Sequence, residues 1–213
     1  MSVLTLYNRE RSGNCYKVRL MLSLLGLNYE KVAVHREGKN RNNLPPGYDR
    51  LNPLRQLPVL VADGKPYWGT IAILVFLARK HGGTAWLPGD AEGEGEVTQW
   101  LSLGQNEIFY GLGRARSMRA NRWHGYGTLD EAHQIAAVAL RALEGRLGKR
   151  DWLALDRTTI ADVACYSYTV FAPEGGISLK PYPAVRAWLA RIQALPGYLS
   201  TPPYDGAGGP LVE

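Results

Sequence analysis

The sequence predicts an α/β domain of βαβ-ββα order followed by an all-helical domain. Three observations predict this class. Short β-prone runs alternate with helical periodicity over residues 1–82, a Gly-, Pro- and acid-rich stretch then interrupts the chain, and beyond it every apolar pattern has helical spacing.

Residues 3–7, Val-Leu-Thr-Leu-Tyr, are β-prone and break at Asn8. Residues 16–27 place Val18, Leu20, Met21, Leu22, Leu24 and Leu25 on a helix that stops at Gly26. Residues 29–34 read as a second strand, and the polar stretch 36–52 as a loop with one irregular helical turn. Leu57-Pro58-Val59-Leu60-Val61 is a short apolar strand opened by proline. Lacking an N–H, Pro58 belongs at a sheet edge or at the entrance of a strand. Asp63-Gly64 is a hairpin signal that leads into a strand over 65–68. Apolar residues at 71, 73, 74, 76 and 77 predict a helix over 71–81, announced by Thr70 and ended by Gly82-Gly83. Leu87-Pro88-Gly89-Asp90 marks a linker over 83–92, which divides the chain into domains 1–82 and 93–213. Helices are expected in the second domain at 97–110, 129–147, 160–170 and 184–195. The Gly- and Pro-rich tail from residue 201 is expected to fray or to drape over the surface.

Composition narrows the function classes. With 213 residues and 46% apolar content the chain can bury a sizeable core, which argues against disorder. No apolar run approaches the roughly 18–20 residues of a membrane span, and polar Asn8, Arg9 and Glu10 follow too soon for a secretory segment, so the expected location is the cytoplasm. Cys15 and Cys165 are far apart and form no CxxC or Cys/His cluster, so neither a disulfide framework nor a metal site is expected. The net charge of +6 raises the question of nucleic acid. Its densest group, Arg114, Arg116, Arg119 and Arg122 beside Trp123, reads as a solvated helix face, and an acidic small molecule suits it better than a phosphate backbone.

Four local patterns stand in a suggestive order: Ser12-Gly13-Asn14-Cys15-Tyr16-Lys17-Val18-Arg19-Leu20; Asn52-Pro53 followed by Leu57-Pro58-Val59-Leu60; Gly69-Thr70-Ile71-Ala72-Ile73; and Thr159-Ile160-Ala161-Asp162. Each is weak alone. Together they resemble the cytosolic glutathione transferases over essentially the whole chain. The resemblance implies a thioredoxin-like first domain that binds glutathione as co-substrate and a helical second domain that supplies the electrophile pocket. It also implies a homodimer, and its bacterial nu-like branch, with a hydroxyl residue and an asparagine at these offsets, implies disulfide reduction.

The chemistry of that family needs a thiolate at neutral pH, because ionised sulfur is the nucleophile. Ser12 stands where serine-type members carry the activating hydroxyl, with Asn14 as a second donor to sulfur. Both residue types are also ordinary helix caps. Tyr7, at the end of the first strand, is the competing hydroxyl, and Cys15, near a helix N-terminus with Lys17 and Arg19 close in sequence, is a third candidate through an acidified thiol. The resemblance implies a cis bond before Pro58, with the Leu57 backbone left to bond the cysteinyl segment, and a Thr70 hydroxyl offered to the γ-glutamyl carboxylate. Two departures from the family pattern stand out. Gly69 replaces the usual acid that meets the γ-glutamyl ammonium, and Arg55 replaces a common glycine, which either adds a positive charge beside the cofactor's carboxylates or only alters the loop. Tyr110, Arg114 and Trp123 are the expected lining of the electrophile pocket, and Asp162 is read as structural, accepting backbone N–H bonds in the Thr159 capping box.

Overall fold

The computed structural model describes residues 3–35, 44–123 and 125–202. Strand β1 (Leu4–Asn8) buries Leu4, Leu6 and Asn8 on one face and half-exposes Thr5 and Tyr7 on the other, the period-two pattern of a strand. It runs parallel to β2 (Glu30–Ala33) and antiparallel to β3 (Val59–Ala62), which pairs antiparallel with β4 (Lys65–Trp68). The sheet order is β2-β1-β3-β4, a thioredoxin-like mixed sheet. β3 is therefore an interior strand, and Pro58 stands at its entrance, where the missing N–H breaks no ladder. The β3–β4 hairpin turns through Asp63 and Gly64, both at positive φ, as a tight two-residue turn requires.

Helix α1 (Gly13–Leu24) starts three residues before the sequence pattern indicates, because Ser12 caps it: its side-chain oxygen accepts from the Cys15 N–H at 3.3 Å. Helix α2 (Thr70–Leu77) is shorter than expected and passes into a π-helical turn over Ala78–Gly82. The expected linker contains a short helix, α3 (Gly83–Trp86). The next helix, α4 (Ala91–Gln105), begins six residues before the expected 97. Its composition reads as loop, yet Asp90 accepts from the Gly93 N–H at 2.8 Å and Glu92 and Glu94 lie in the first turn, where the helix dipole favours acids.

Beyond α4 the chain continues as a π-helical segment, Ile108–Gly113, and as α5 (Arg114–Arg119). That region was expected to be a solvated basic face. Instead Arg114 and Arg116 are only 8% and 9% exposed, while Arg119 and Arg122 face solvent. The cause is close packing by small residues: a Cβ on Gly111 would lie 2.5 Å from the Ala136 nitrogen, so the segment sits hard against α6 (Leu129–Leu147). Helices α6 and α7 (Ile160–Val170) match their predicted bounds, and α8 (Pro183–Gln193) lies within a residue or two of its own.

Every residue of α7 is buried. It packs against α1 and α2 of the first domain and α4 of the second, so one apolar core runs from Leu6 and Leu20 through Leu101 and Ala136 to Trp188. Asp162 ties this centre together. Its carboxylate accepts from Thr159 N–H (2.9 Å), Leu153 N–H (3.2 Å) and the Trp188 indole N–H (3.0 Å), closing the capping box with Thr159. Among the described residues no helix is long and apolar enough to cross a membrane. The tail beyond residue 202 and residues 36–43 of the long loop lie outside the described residues, while the single helical turn expected in that loop is the 3-10 turn Tyr48–Arg50.

Candidate active site

Strand register gathers the three sequence patterns of the first domain at one end of the sheet. Tyr7 pairs with Val59, and Val59 pairs with Trp68. The chain therefore leaves β1 into the 9–12 turn, enters β3 from Leu57-Pro58, and leaves β4 into Gly69-Thr70, all at the same edge. A ligand placed there meets two helix N-termini, those of α1 and α2, which favour negative charge.

Ser12 is half-buried at the start of α1. Its oxygen accepts the Cys15 N–H, and the same side chain lies against the Cys15 thiol. Asn14 is half-buried two residues on, with its side-chain oxygen enclosed and without a hydrogen-bond partner. Tyr7 packs its ring edge-on against Tyr48 at 5.5 Å. Cys15 corrects the expectation of an acidified thiol: it is fully buried, accepts from the Arg9 N–H at 3.4 Å, and burial pushes its thiol up despite the Ser12 contact and the nearby arginines. Lys17, two residues on, lies elsewhere, with its ammonium 4.9 Å from the centre of the Tyr168 ring.

The Leu57–Pro58 bond is cis, as the resemblance implies, and the Leu57 backbone has no hydrogen-bond partner among the described residues. The preceding loop is fixed from within. Asn52 donates to the Gln56 carbonyl at 2.9 Å and accepts from Leu54 N–H at 2.9 Å, and the Tyr48 hydroxyl donates to the same carbonyl at 3.0 Å. Arg55 is exposed at φ +51, which explains why this position suits glycine. Thr70 is not the cap of α2, as expected, but its first residue. Gly69 is the cap, at φ +81 and ψ 117, a conformation open to glycine and costly for an acidic residue. Among the described residues the Thr70 hydroxyl has no hydrogen-bond partner.

Two family models match the chain: the N-terminal domain of glutathione S-transferases over residues 11–80 and the C-terminal domain over residues 126–196. A maleylpyruvate isomerase from Ralstonia is 30% identical over 85% of this chain and 88% of its own length. The chain belongs to the glutathione S-transferase family. The disulfide-bond oxidoreductase YfcG of Escherichia coli is also 30% identical, over 86% of this chain and 87% of its own length. Among solved structures, a glutathione S-transferase from Pseudomonas fluorescens superposes with a TM-score of 0.84 at 33% identity, covering 93% of this chain and 98% of that one.

In this transferase fold the helical domain reaches the start of α1 through Tyr168. A Cβ on Gly13 would lie 2.5 Å from the Tyr168 ring, and one on Gly113 3.1 Å from it, so the ring is clasped between the two domains. Burial pushes its phenol up to about 12. Phe109 meets Tyr168 at 5.8 Å, Tyr110 at 5.2 Å and Trp123 at 6.4 Å, and so links the expected pocket residues to the α1 terminus. Tyr110 itself is 47% exposed and lines a surface pocket of about 370 Å³ with Asn106, Glu107, Ile135 and Val138. Arg114 is buried with its Nε and Nη2 unpartnered. Phe109 and Tyr168 escaped the sequence reading because both sit inside helices as ordinary apolar-face aromatics. The signal available was the small residue at Gly13 and at Gly113, each leaving room for a neighbour's ring.

Proposed function

We propose that this protein is a glutathione transferase in which the Ser12 hydroxyl, aided by Asn14, holds the glutathione thiolate for attack on a small electrophile or a disulfide. The observation that supports the reading is the convergence at one sheet end of the Ser12 hydroxyl, an unpaired strand-entry backbone and a helix N-terminus. Leu57 bonds the cysteinyl segment in strand fashion, the Thr70 hydroxyl and the α2 terminus take the γ-glutamyl carboxylate, and Arg55 faces the cofactor's carboxylates. Gly69 supplies no acid for the γ-glutamyl ammonium. Phe109, Tyr110, Arg114, Trp123 and Tyr168 form the electrophile side.

The magnitudes are adequate. Lowering a thiol pKa by about two units takes ~2.7 kcal/mol of preference for the anion. A hydrogen bond to a charged group contributes about 1.5–3 kcal/mol and a helix N-terminus about 0.3–1 kcal/mol. Ser12→Ala is expected to lower turnover by on the order of tenfold or more, with Ser12→Thr retaining most of it. Unchanged kinetics of the alanine variant on a competent substrate removes Ser12 from this role. The named relatives divide between an isomerase and a disulfide-bond oxidoreductase, so the substrate panel includes both an unsaturated electrophile and a disulfide. The proposed assembly is a cytoplasmic homodimer without nucleic-acid or membrane partners, and a monomer in light scattering contradicts it.

A second reading rests on Gly69: a binding module of the same fold that has lost glutathione affinity. Titration calorimetry decides, since the absence of heat and of thermal shift at millimolar glutathione favours the module.

A further inference from the structure

The turn that presents Ser12 is held by both domains. Its four carbonyls are all accounted for: Arg9 O accepts from Ser12 N–H (3.1 Å), Glu10 O from the Arg19 guanidinium (2.8 Å), Arg11 O from the Arg116 guanidinium (3.1 Å), and Ser12 O from Tyr16 N–H (2.9 Å). Three of these bonds come from the first domain. The fourth, on the residue next to Ser12, comes from α5 of the second.

Arg116 is aimed by Glu174 in the 3-10 turn Ala172–Gly175. The Glu174 carboxylate accepts from Arg116 Nε at 2.6 Å and from Arg11 Nη2 at 3.0 Å, and the Arg116 guanidinium lies 4.1 Å from the centre of the Phe171 ring. The Glu174 side chain is 3% exposed, so the bonds form where water competes little and charge-assisted contacts are strong. Two arginines thus share one buried carboxylate oxygen beside the start of α1. The Glu174 Oε1 oxygen and Arg116 Nη2 remain without partners.

We propose that Glu174 is a positioning residue: by gripping Arg11 directly and Arg116 on the Arg11 carbonyl, it sets the place of the Ser12 hydroxyl, so the helical domain governs thiol activation as well as the electrophile pocket. This rests on Ser12 acting as the thiol's donor. The alternative, that Glu174 acts on the sulfur only through its charge, predicts the opposite sign. Removing a negative charge leaves the two arginines less neutralised and favours the thiolate, whereas a loosened turn withdraws the Ser12 bond and disfavours it.

Two substitutions separate the effects. Glu174→Gln keeps the reach and loses the charge, and Glu174→Asp keeps the charge and loses the reach. The pKa of enzyme-bound glutathione is followed through the ultraviolet absorbance of its thiolate against pH. Amide hydrogen exchange over residues 9–15 is measured in the ligand-free protein. Both variants are expected to raise the bound thiol's pKa by about one unit, a tenfold loss of thiolate at a given lower pH, and to quicken exchange in the turn. A pKa that falls or stays fixed in Glu174→Gln, or turn exchange equal to that of the wild type, overturns the proposal. Should a Glu174 variant fail to fold, Arg11→Lys serves, since that side chain is 18% exposed and keeps its charge while losing the fork; the same direction is expected and no change refutes. Wild-type protein that holds no thiolate defeats the Ser12 reading, while the exchange measurement still decides whether Glu174 holds the turn.

Discussion

Replacing Lys17 by methionine is expected to stabilise this protein. Lys17 lies on α1 with no solvent exposure, its ammonium has no hydrogen-bond partner, and burial lowers its pKa from 10.5 to about 8. At ~1.36 kcal/mol for each power of ten, holding the charged form at neutral pH costs on the order of 3 kcal/mol. The Tyr168 ring at 4.9 Å offsets part of this, by about 1–2 kcal/mol for a desolvated cation over an aromatic face. Methionine fills a similar volume without a charge, so the net gain at pH 7 is about 1–2 kcal/mol. In a chain of this size that raises Tm by several degrees, at about 2–4 °C per kcal/mol.

The pH dependence gives the decisive sign. The folded pKa lies below the unfolded one, so between about 8 and 10.5 the unfolded chain holds a proton the folded chain has released, and wild-type stability rises with pH in that window. Urea unfolding of both proteins at several pH values isolates the term, because every other titrating group is common to both. The advantage of Lys17→Met is expected to be constant below about pH 7.5 and to shrink towards pH 10. A variant less stable than wild type at pH 7, or a gap that does not move with pH, refutes the reasoning and means the ammonium has a favourable partner.

Asp162→Ala removes the acceptor of three buried donors, Thr159 N–H, Leu153 N–H and the Trp188 indole N–H, and is expected to cost about 3–5 kcal/mol in urea unfolding; a loss under about 1 kcal/mol contradicts its central role. Gly69→Asp acts in two directions. It forces an acidic residue to φ +81, at about 1–2 kcal/mol of stability, and in the proposed glutathione site it supplies a carboxylate for the γ-glutamyl ammonium. Lower Tm with tighter glutathione binding by calorimetry is the expected pair, and weaker binding argues against the assigned orientation of the tripeptide.

The first domain was legible because its determinants are local. Alternating Leu4 and Leu6, the Asp63-Gly64 turn and the apolar spacing of α2 specify their elements within a few residues, and α6 and α7 follow from periodicity between strong caps. The misplaced start of α4 shows where local composition misleads: Ala-Glu-Gly-Glu-Gly-Glu looks like a loop until Asp90 is seen to cap it. Ser12 and Asn14 were legible as candidates, yet a cap and an activating donor have the same sequence signature. The geometry shows Ser12 in the first role, accepting the Cys15 N–H, and the second role is the proposal made above.

What the sequence by itself determined is the order of elements, the family and the residue types offered at the sheet edge, since these depend on backbone propensity and on spacing along the chain. What only the tertiary structure decided is which charges are inside. Arg114 and Arg116 look like a solvated face and Lys17 like an acidifying neighbour of Cys15, and nothing in the sequence singles out Glu174. Burial depends on contacts between residues far apart in the chain: Gly111 against Ala136, Tyr168 between Gly13 and Gly113, Glu174 across to Arg11. Desolvation and pairing, the terms that set the charge and position of these groups, therefore arise only once segments far apart in the chain, within the helical domain and between the two domains, pack on each other.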